Sequence, residues 1–373
     1  MASAQDVVGI PHGDSLGEFR AGSFPASSRP MGSMMKLHRF FVLPAVALTA
    51  CTVQRWQPAP IASVDDHTAH MMAADLRSPT PVLRSGSEAQ GTAGLPASNA
   101  TAAARLAASP RHGEWVKVAW ESGSSDSLMA WIVYPMRRDK APVVVVVHEI
   151  FGLSTWVRAV ADQAAAEGFI AIAPDFLSRV RGGPSSIELP RDTATRLIRG
   201  VDLADQNRAI AAAASFAMIQ PSAEQRYGVI GYCWGGSTVW GHAVNGGVKG
   251  FAGGVAFYGA PFTMPGTPAT ATTPAVPGSL AIDSLAKIKV PVMLLNGSRD
   301  ARIGALMPAI DSAMKALKKE YSGTNYDGAI HGFLRAQDDP AAGANAEARP
   351  ANLAAAKDAW PKTVAFLKSK LGK

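Results

Sequence analysis

Cysteine is nearly missing from this chain: 373 residues carry two, Cys51 and Cys233. Two thiols cannot build a disulfide framework, so each needs its own reason to be present. Charge is sparse as well. Only 17% of residues are Asp, Glu, Lys or Arg, and the net +7 is not gathered into a basic stripe with interleaved aromatics. Nucleic acid is therefore not an expected partner. No internal repeat, GxGxxG turn or Walker loop occurs, which leaves no motif for a nucleotide cofactor. His148-Glu149 is not a zinc motif, because H-E-x-x-H would need histidine where Gly152 stands. Neither cofactor nor metal is expected.

The apolar runs are short. Phe40 to Ala50 follows the basic start Met35-Lys36-Leu37-His38-Arg39. It is too short to span a bilayer and suits the core of a signal peptide. It ends in Leu48-Thr49-Ala50-Cys51, which resembles a bacterial lipobox, with Cys51 as the lipidated first residue of the mature protein. The alternative is an ordinary secretory signal that happens to hold a cysteine. Residues 35–51 are thus expected to be a leader. Residues 1–34, with no periodic pattern, are expected to be an over-long start, Met34 or Met35 being the initiator. The expected location is exported, periplasmic or anchored to the membrane by that lipid alone. Residues 52–111 are rich in Ala, Ser, Thr and Pro and poor in large apolar side chains, so a disordered tether is expected there.

From about His112 to the end, 112–373, the pattern is that of one folded domain. Strand-like segments 114–120 and 128–134 come first. Five consecutive valines, Val143 to Val147, then read as a strand buried on both faces. Ser154 can cap a helix that stops at Gly168. Phe169 to Ala173, the strand before Cys233, Gly253 to Tyr258 and Val290 to Leu295 continue the strands. Between them lie helical patterns over 202–219, after Gly236, over 305–321, and at the C-terminus, where Pro361 is expected to kink the last helix. Strands alternating with helices give the fold class: α/β, a mostly parallel sheet flanked by helices, without a separate cap domain. The Thr/Pro/Ala-rich stretch 260–283 breaks this rhythm and is expected to be a lid or a plain loop. A monomer is expected.

The chain is organised around Gly231-Tyr232-Cys233-Trp234-Gly235-Gly236. Gly-x-Cys-x-Gly between a buried strand and a helix has the spacing of a nucleophile elbow, with cysteine in place of serine. The helix start favours a thiolate there. A buried structural cysteine is the bland alternative. In a parallel sheet, ligands bind at the carboxyl ends of the strands. Asp300 follows one strand and His331 follows the last, in the chain order nucleophile, acid, histidine. Asp283, Asp311 and Asp327 compete with Asp300, and His148 competes with His331. His242, inside the helix after the elbow, reads as structural. The N–H groups of Trp234 and Ile150 are the candidates for an oxyanion hole.

Together, H-E-I-F-G-L at 148–153, A-P-D-F at 173–176, G-Y-C-W-G-G at 231–236, N-G-S-R-D at 296–300 and H-G-F at 331–333 resemble the dienelactone hydrolase family over about 114–371. The resemblance implies an α/β-hydrolase fold and a Cys233-His331-Asp300 triad. It also implies that Glu149 contacts the resting thiol and moves when substrate binds. A structural acid tethering its own loop is the plainer role for Glu149. The resemblance further implies that Arg335 and Arg191 bind a substrate carboxylate, against the alternative of solvated surface arginines. The expected activity is a cysteine-dependent hydrolase acting on a small ester or lactone through a thioester. The other readings are an exported esterase of unrelated substrate, a surface-tethered binding protein on an inactive hydrolase scaffold, and a redox thiol protein. The last lacks a second cysteine near Cys233.

Overall fold

The computed structural model describes residues 91–264, 279–338 and 347–372. The leader with Cys51, the start before it and most of the expected tether lie outside the described residues, as does 265–278 within the Thr/Pro-rich stretch.

The elements run in order as α1 (Ala102–Ala107), β1 (Gly113–Ala119), β2 (Ser127–Val133), β3 (Ala141–Val147), α2 (Thr155–Ala166) and β4 (Ile170–Pro174). Then come α3 (Arg191–Ile198), α4 (Leu203–Met218), β5 (Ala223–Tyr232), α5 (Trp234–Asn245) and β6 (Phe251–Phe257). A small ribbon pairs β7 (Thr263–Met264) with β8 (Ser279–Leu280). The chain continues with α6 (Ile282–Ala286), β9 (Val292–Gly297), α7 (Ala301–Gly304), α8 (Met307–Ala316), β10 (Tyr321–Tyr326), α9 (Phe333–Ala336) and α10 (Arg349–Leu371).

Eight strands form one sheet in the order β1-β2-β4-β3-β5-β6-β9-β10. β2 runs antiparallel to both its neighbours, and the pairs from β4 to β10 are parallel. The valine strand lies in the middle and is buried throughout. Its side chains alternate: Val143, Val145 and Val147 join the core under α4 and α5, while Val144 and Val146 join the core under α2 and α10. Period-2 alternation with both faces covered is why this strand is a continuous apolar run.

β3 is followed on one side by β4 and on the other by β5, so the strand order reverses beside β3. Such a reversal opens a crevice at the strands' carboxyl ends. The registers Val147 with Gly231, Tyr232 with Phe257 and Phe257 with Leu295 bring the ends of β3, β5, β6 and β9 to one edge.

Three expectations need correction. The folded domain does not begin at 112: within the segment read as tether, α1 forms and Leu95, Ala97, Ser98, Thr101 and Ala102 are buried. Composition misleads here because small residues fill the contact, and the carbonyls of Leu95 and Ala97 accept hydrogen bonds from the side chains of Arg105 and Trp156. The helical pattern over 305–321 ends at Ala316; Lys318 turns with φ 53° and Tyr321 already belongs to β10. Helix α10 continues unbroken through Pro361. Among the described residues no helix is long and apolar enough to cross a membrane.

Candidate active site

The bend after β5 is forced by close packing. Cys233 sits between the last residue of β5 and the first of α5 with φ 57° and ψ −115°, a conformation that costs a non-glycine residue about 1–3 kcal/mol. Its N–H donates to the Phe257 carbonyl at 3.0 Å, which ties the bend to β6. Glycines make the approach possible. A Cβ on Gly231 would stand 2.0 Å from the Gly235 carbonyl oxygen, and one on Gly235 would stand 2.5 Å from the Val147 carbonyl oxygen and 2.6 Å from that of His148. The second contact seats the first turn of α5 against the end of β3, so the loop carrying Glu149 and Ile150 lies beside the elbow. Trp234 opens α5, and N–H groups in a helix's first turn have no partner within the helix.

Cys233 is partly exposed rather than sealed in the core. Asp300 follows β9 and His331 follows the turn after β10. His331 Nδ1 and Asp300 Oδ2 are 2.6 Å apart, with Nδ1–H as the donor to the carboxylate. Asp300 Oδ1 accepts from the Ile303 N–H at 3.3 Å, capping α7. Burial works against the charged imidazole of His331, but hydrogen bonding and charge from Asp300 and Cys233 outweigh it and raise the ring to about 9. Burial also opposes ionisation of Asp300, yet the His331 hydrogen bond and charge hold its carboxyl below the usual range.

The other candidate histidines and acids are placed differently. His148 has both ring nitrogens engaged: Nδ1–H donates to the Glu149 carbonyl at 2.7 Å, and Nε2 accepts from the Phe176 N–H at 3.2 Å. It is buried, stacked on Trp234, and burial lowers its pKa. His242 is likewise locked, between Tyr227 Oη at 2.9 Å and Asn207 Oδ1 at 3.3 Å, and burial pushes it down to about 3. Asp283, Asp311 and Asp327 are all exposed, and the Asp327 carboxylate accepts from Ser298 instead.

Glu149 is buried and ion-paired with Arg335, Nε to Oε2 2.9 Å, without the alignment of a hydrogen bond. Burial raises the Glu149 carboxyl, against the pull of Arg335, His331 and Arg191. Arg191, the first residue of α3, stacks its guanidinium 4.4 Å from the Phe151 ring, and that of Arg335 lies 5.6 Å from the same ring. The two arginines therefore converge on one loop, although α3 itself was not foreseen. In the segment before α3, buried Asp175 of A-P-D-F pairs with Arg181 at 2.7 Å and accepts from Ser185 at 2.5 Å.

Sequence reasoning overlooked Tyr258 and Phe151. Tyr258 follows β6 with φ 40°, its ring lies 4.9 Å from that of His331, and its buried hydroxyl is unpaired. The rule that located Asp300, a polar residue at the carboxyl end of a strand, would have found it. Among the described residues no group of three His, Cys, Asp or Glu is arranged to hold a metal ion.

The geometry carries a stability consequence. The raised His331 value exceeds the ~6.5 of an unfolded chain, so its stabilisation is complete below about 6.5 and is lost as pH rises through about 9. Solvent at the ring, whose side chain is 36% exposed, tempers the size. Tm measured from pH 6 to 10 should fall more steeply for the parent than for His331→Asn; parallel curves would contradict the coupling.

The Dienelactone hydrolase family model matches residues 128–371. A Synechocystis protein named "Putative carboxymethylenebutenolidase" is 30% identical over 255 residues, 65% of this chain and 92% of its own. The "Carboxymethylenebutenolidase" of Pseudomonas sp. (strain P51) is 33% identical over 112 residues, 29% of this chain and 47% of its own. A Klebsiella pneumoniae crystal structure described as a "Putative Dienelactone Hydrolase" superposes with a TM-score of 0.51 at 24% identity, covering 69% of this chain and 98% of that one. That likeness speaks to the fold. The chain belongs to the dienelactone hydrolase family and is a hydrolase with the α/β-hydrolase fold.

Proposed function

We propose that the chain hydrolyses carboxylic esters or lactones through a thioester on Cys233. The observation that carries this reading is a thiol at a strained bend acting on an imidazole whose far nitrogen is 2.6 Å from a carboxylate. With Nδ1–H committed to Asp300, the His331 Nε2 takes the thiol proton. The sulfur attacks the substrate carbonyl carbon, and the oxyanion is received by the N–H groups of Trp234 and Ile150. The C–O bond then breaks, and His331 returns its proton to the leaving oxygen. Water, deprotonated by His331, attacks the thioester carbonyl and expels the sulfur.

Arg335 and Arg191 are the groups for a substrate carboxylate, which a guanidinium binds with two parallel hydrogen bonds. Glu149 already occupies Arg335, so an incoming carboxylate competes with it and releases the buried acid. The lipobox-like Leu48-Thr49-Ala50-Cys51 supports an exported, lipid-anchored protein; fatty-acid labelling that persists in Cys51→Ser would refute the anchor.

A thiolate is a better leaving group than an ordinary alkoxide, so the tetrahedral adduct of an alkyl ester reverts. Enol-lactones and aryl esters should therefore be turned over at least about tenfold faster than matched alkyl esters. A hydrolysis panel with the parent and Cys233→Ser tests this. Equal rates for alkyl and aryl esters in the parent would remove the case for a thiol nucleophile.

A further inference from the structure

Residues 95–101 precede the region matched by the family model, yet they are built into the back of the site. Three contacts fix them there. The Gln337 side-chain amide donates to the Pro96 carbonyl at 2.7 Å, the Trp156 indole donates to the Ala97 carbonyl at 2.9 Å, and the Asn99 N–H donates to the Arg335 carbonyl at 2.9 Å. Leu95, Ala97, Ser98 and Thr101 are buried, and Ser98 and Thr101 close a turn through their hydroxyls at 3.1 Å.

The element they touch cannot hold itself. Helix α9 is four residues long, below the length at which a helix sustains its own hydrogen bonds. Its last carbonyls have no partners within the helix. It nonetheless carries Arg335, which faces Glu149, and it begins two residues after His331. Gln337, immediately beyond α9, is buried and also donates to the Leu334 carbonyl at 3.0 Å, so it pins the helix and the strap together.

We propose that residues 95–101 are a positioning strap: by capping α9 from outside, they set the reach of Arg335 toward Glu149 and toward an incoming carboxylate. The kinetic part of this inference rests on the ester-hydrolase reading; the structural part does not.

The turn offers a clean test. Thr101 N–H donates to the Ser98 carbonyl at 3.2 Å, which places Asn99 at the second turn position, where proline's φ is preferred. The Asn99 side chain is exposed. In the full chain, Asn99→Pro therefore replaces the N–H bonded to the Arg335 carbonyl with a ring carbon that pushes that carbonyl away, whereas Asn99→Ala keeps the hydrogen bond. For an aryl ester bearing a free carboxylate, Asn99→Pro should raise KM about five- to tenfold, with kcat and the hydrolysis of a neutral aryl ester within about twofold of the parent. Asn99→Ala should match the parent. Gln337→Met, which loses the amide bonded to Pro96, should move KM in the same direction. Hydrogen exchange at the amides of 333–336 should be about tenfold faster in Asn99→Pro than in Asn99→Ala. If Asn99→Pro and Asn99→Ala agree in both KM and exchange, the strap has no positioning role. If the parent hydrolyses neither ester, the hydrolase reading falls, and exchange at 333–336 alone decides the strap.

Discussion

Cys233→Ala should lose ester turnover by about 10⁴-fold or more in kcat/KM while melting within a few degrees of the parent. The two halves have separate physical grounds. Cys233 is the side chain presented at the elbow bend, while His331 is bound to Asp300 and Glu149 is paired with Arg335. Members of such a unit fail together rather than in proportion, so removing the sulfur removes most of what His331 and Asp300 do. The fold should tolerate the change because alanine keeps the same Cβ at φ 57°, and Cys233 is only partly buried. Matched progress curves on an aryl ester and thermal melts check both halves. Residual activity within tenfold of the parent would assign the chemistry to another group.

Gly235→Ala should have the largest effect on stability, about 3 kcal/mol or more, or a drop of some 6–12 °C in Tm. The added methyl would meet two backbone oxygens, of Val147 and His148, at 2.5 and 2.6 Å. Neither can swing aside as a flexible side chain would. Val147 ends the central strand, paired with β5, and His148 is buried with both ring nitrogens bonded. Any relief must move α5 away from β3, which also separates the Trp234 and Ile150 N–H groups. Gly183→Ala is the control: nothing lies within 4 Å of a Cβ there and its φ is not positive. Equal melting temperatures for the two variants would mean that the elbow is not packed as described.

Much of the site was legible because its determinants are local. Gly-x-Cys-x-Gly states its own bend, and the unbroken valines state a strand covered on both faces. The carboxyl-end rule reached Asp300 and His331 without any knowledge of their distance. What stayed illegible depends on partners far apart in the chain. His148 and His331 have equal standing as residue types; the Phe176 N–H and the Glu149 carbonyl, which occupy His148, and the Asp300 carboxylate, which meets His331, separate them. Nothing local in Arg335 announces that it meets Glu149, or in Arg191 that it stacks on Phe151. The strap was lost for a different reason. Ala, Ser and Pro carry little hydrophobic signal, and their ordering here comes from backbone carbonyls captured by Gln337, Trp156 and Arg105, long-range bonds that composition cannot register.

The acyl group should pass through the sulfur of Cys233. Rapid acid quench of the protein with an activated aryl ester, followed by peptide mass spectrometry, measures it directly. The acyl mass should appear on the peptide containing Cys233, formed before steady state and absent from Cys233→Ala. Turnover with no adduct on that peptide, at the same rate in parent and variant, would contradict it.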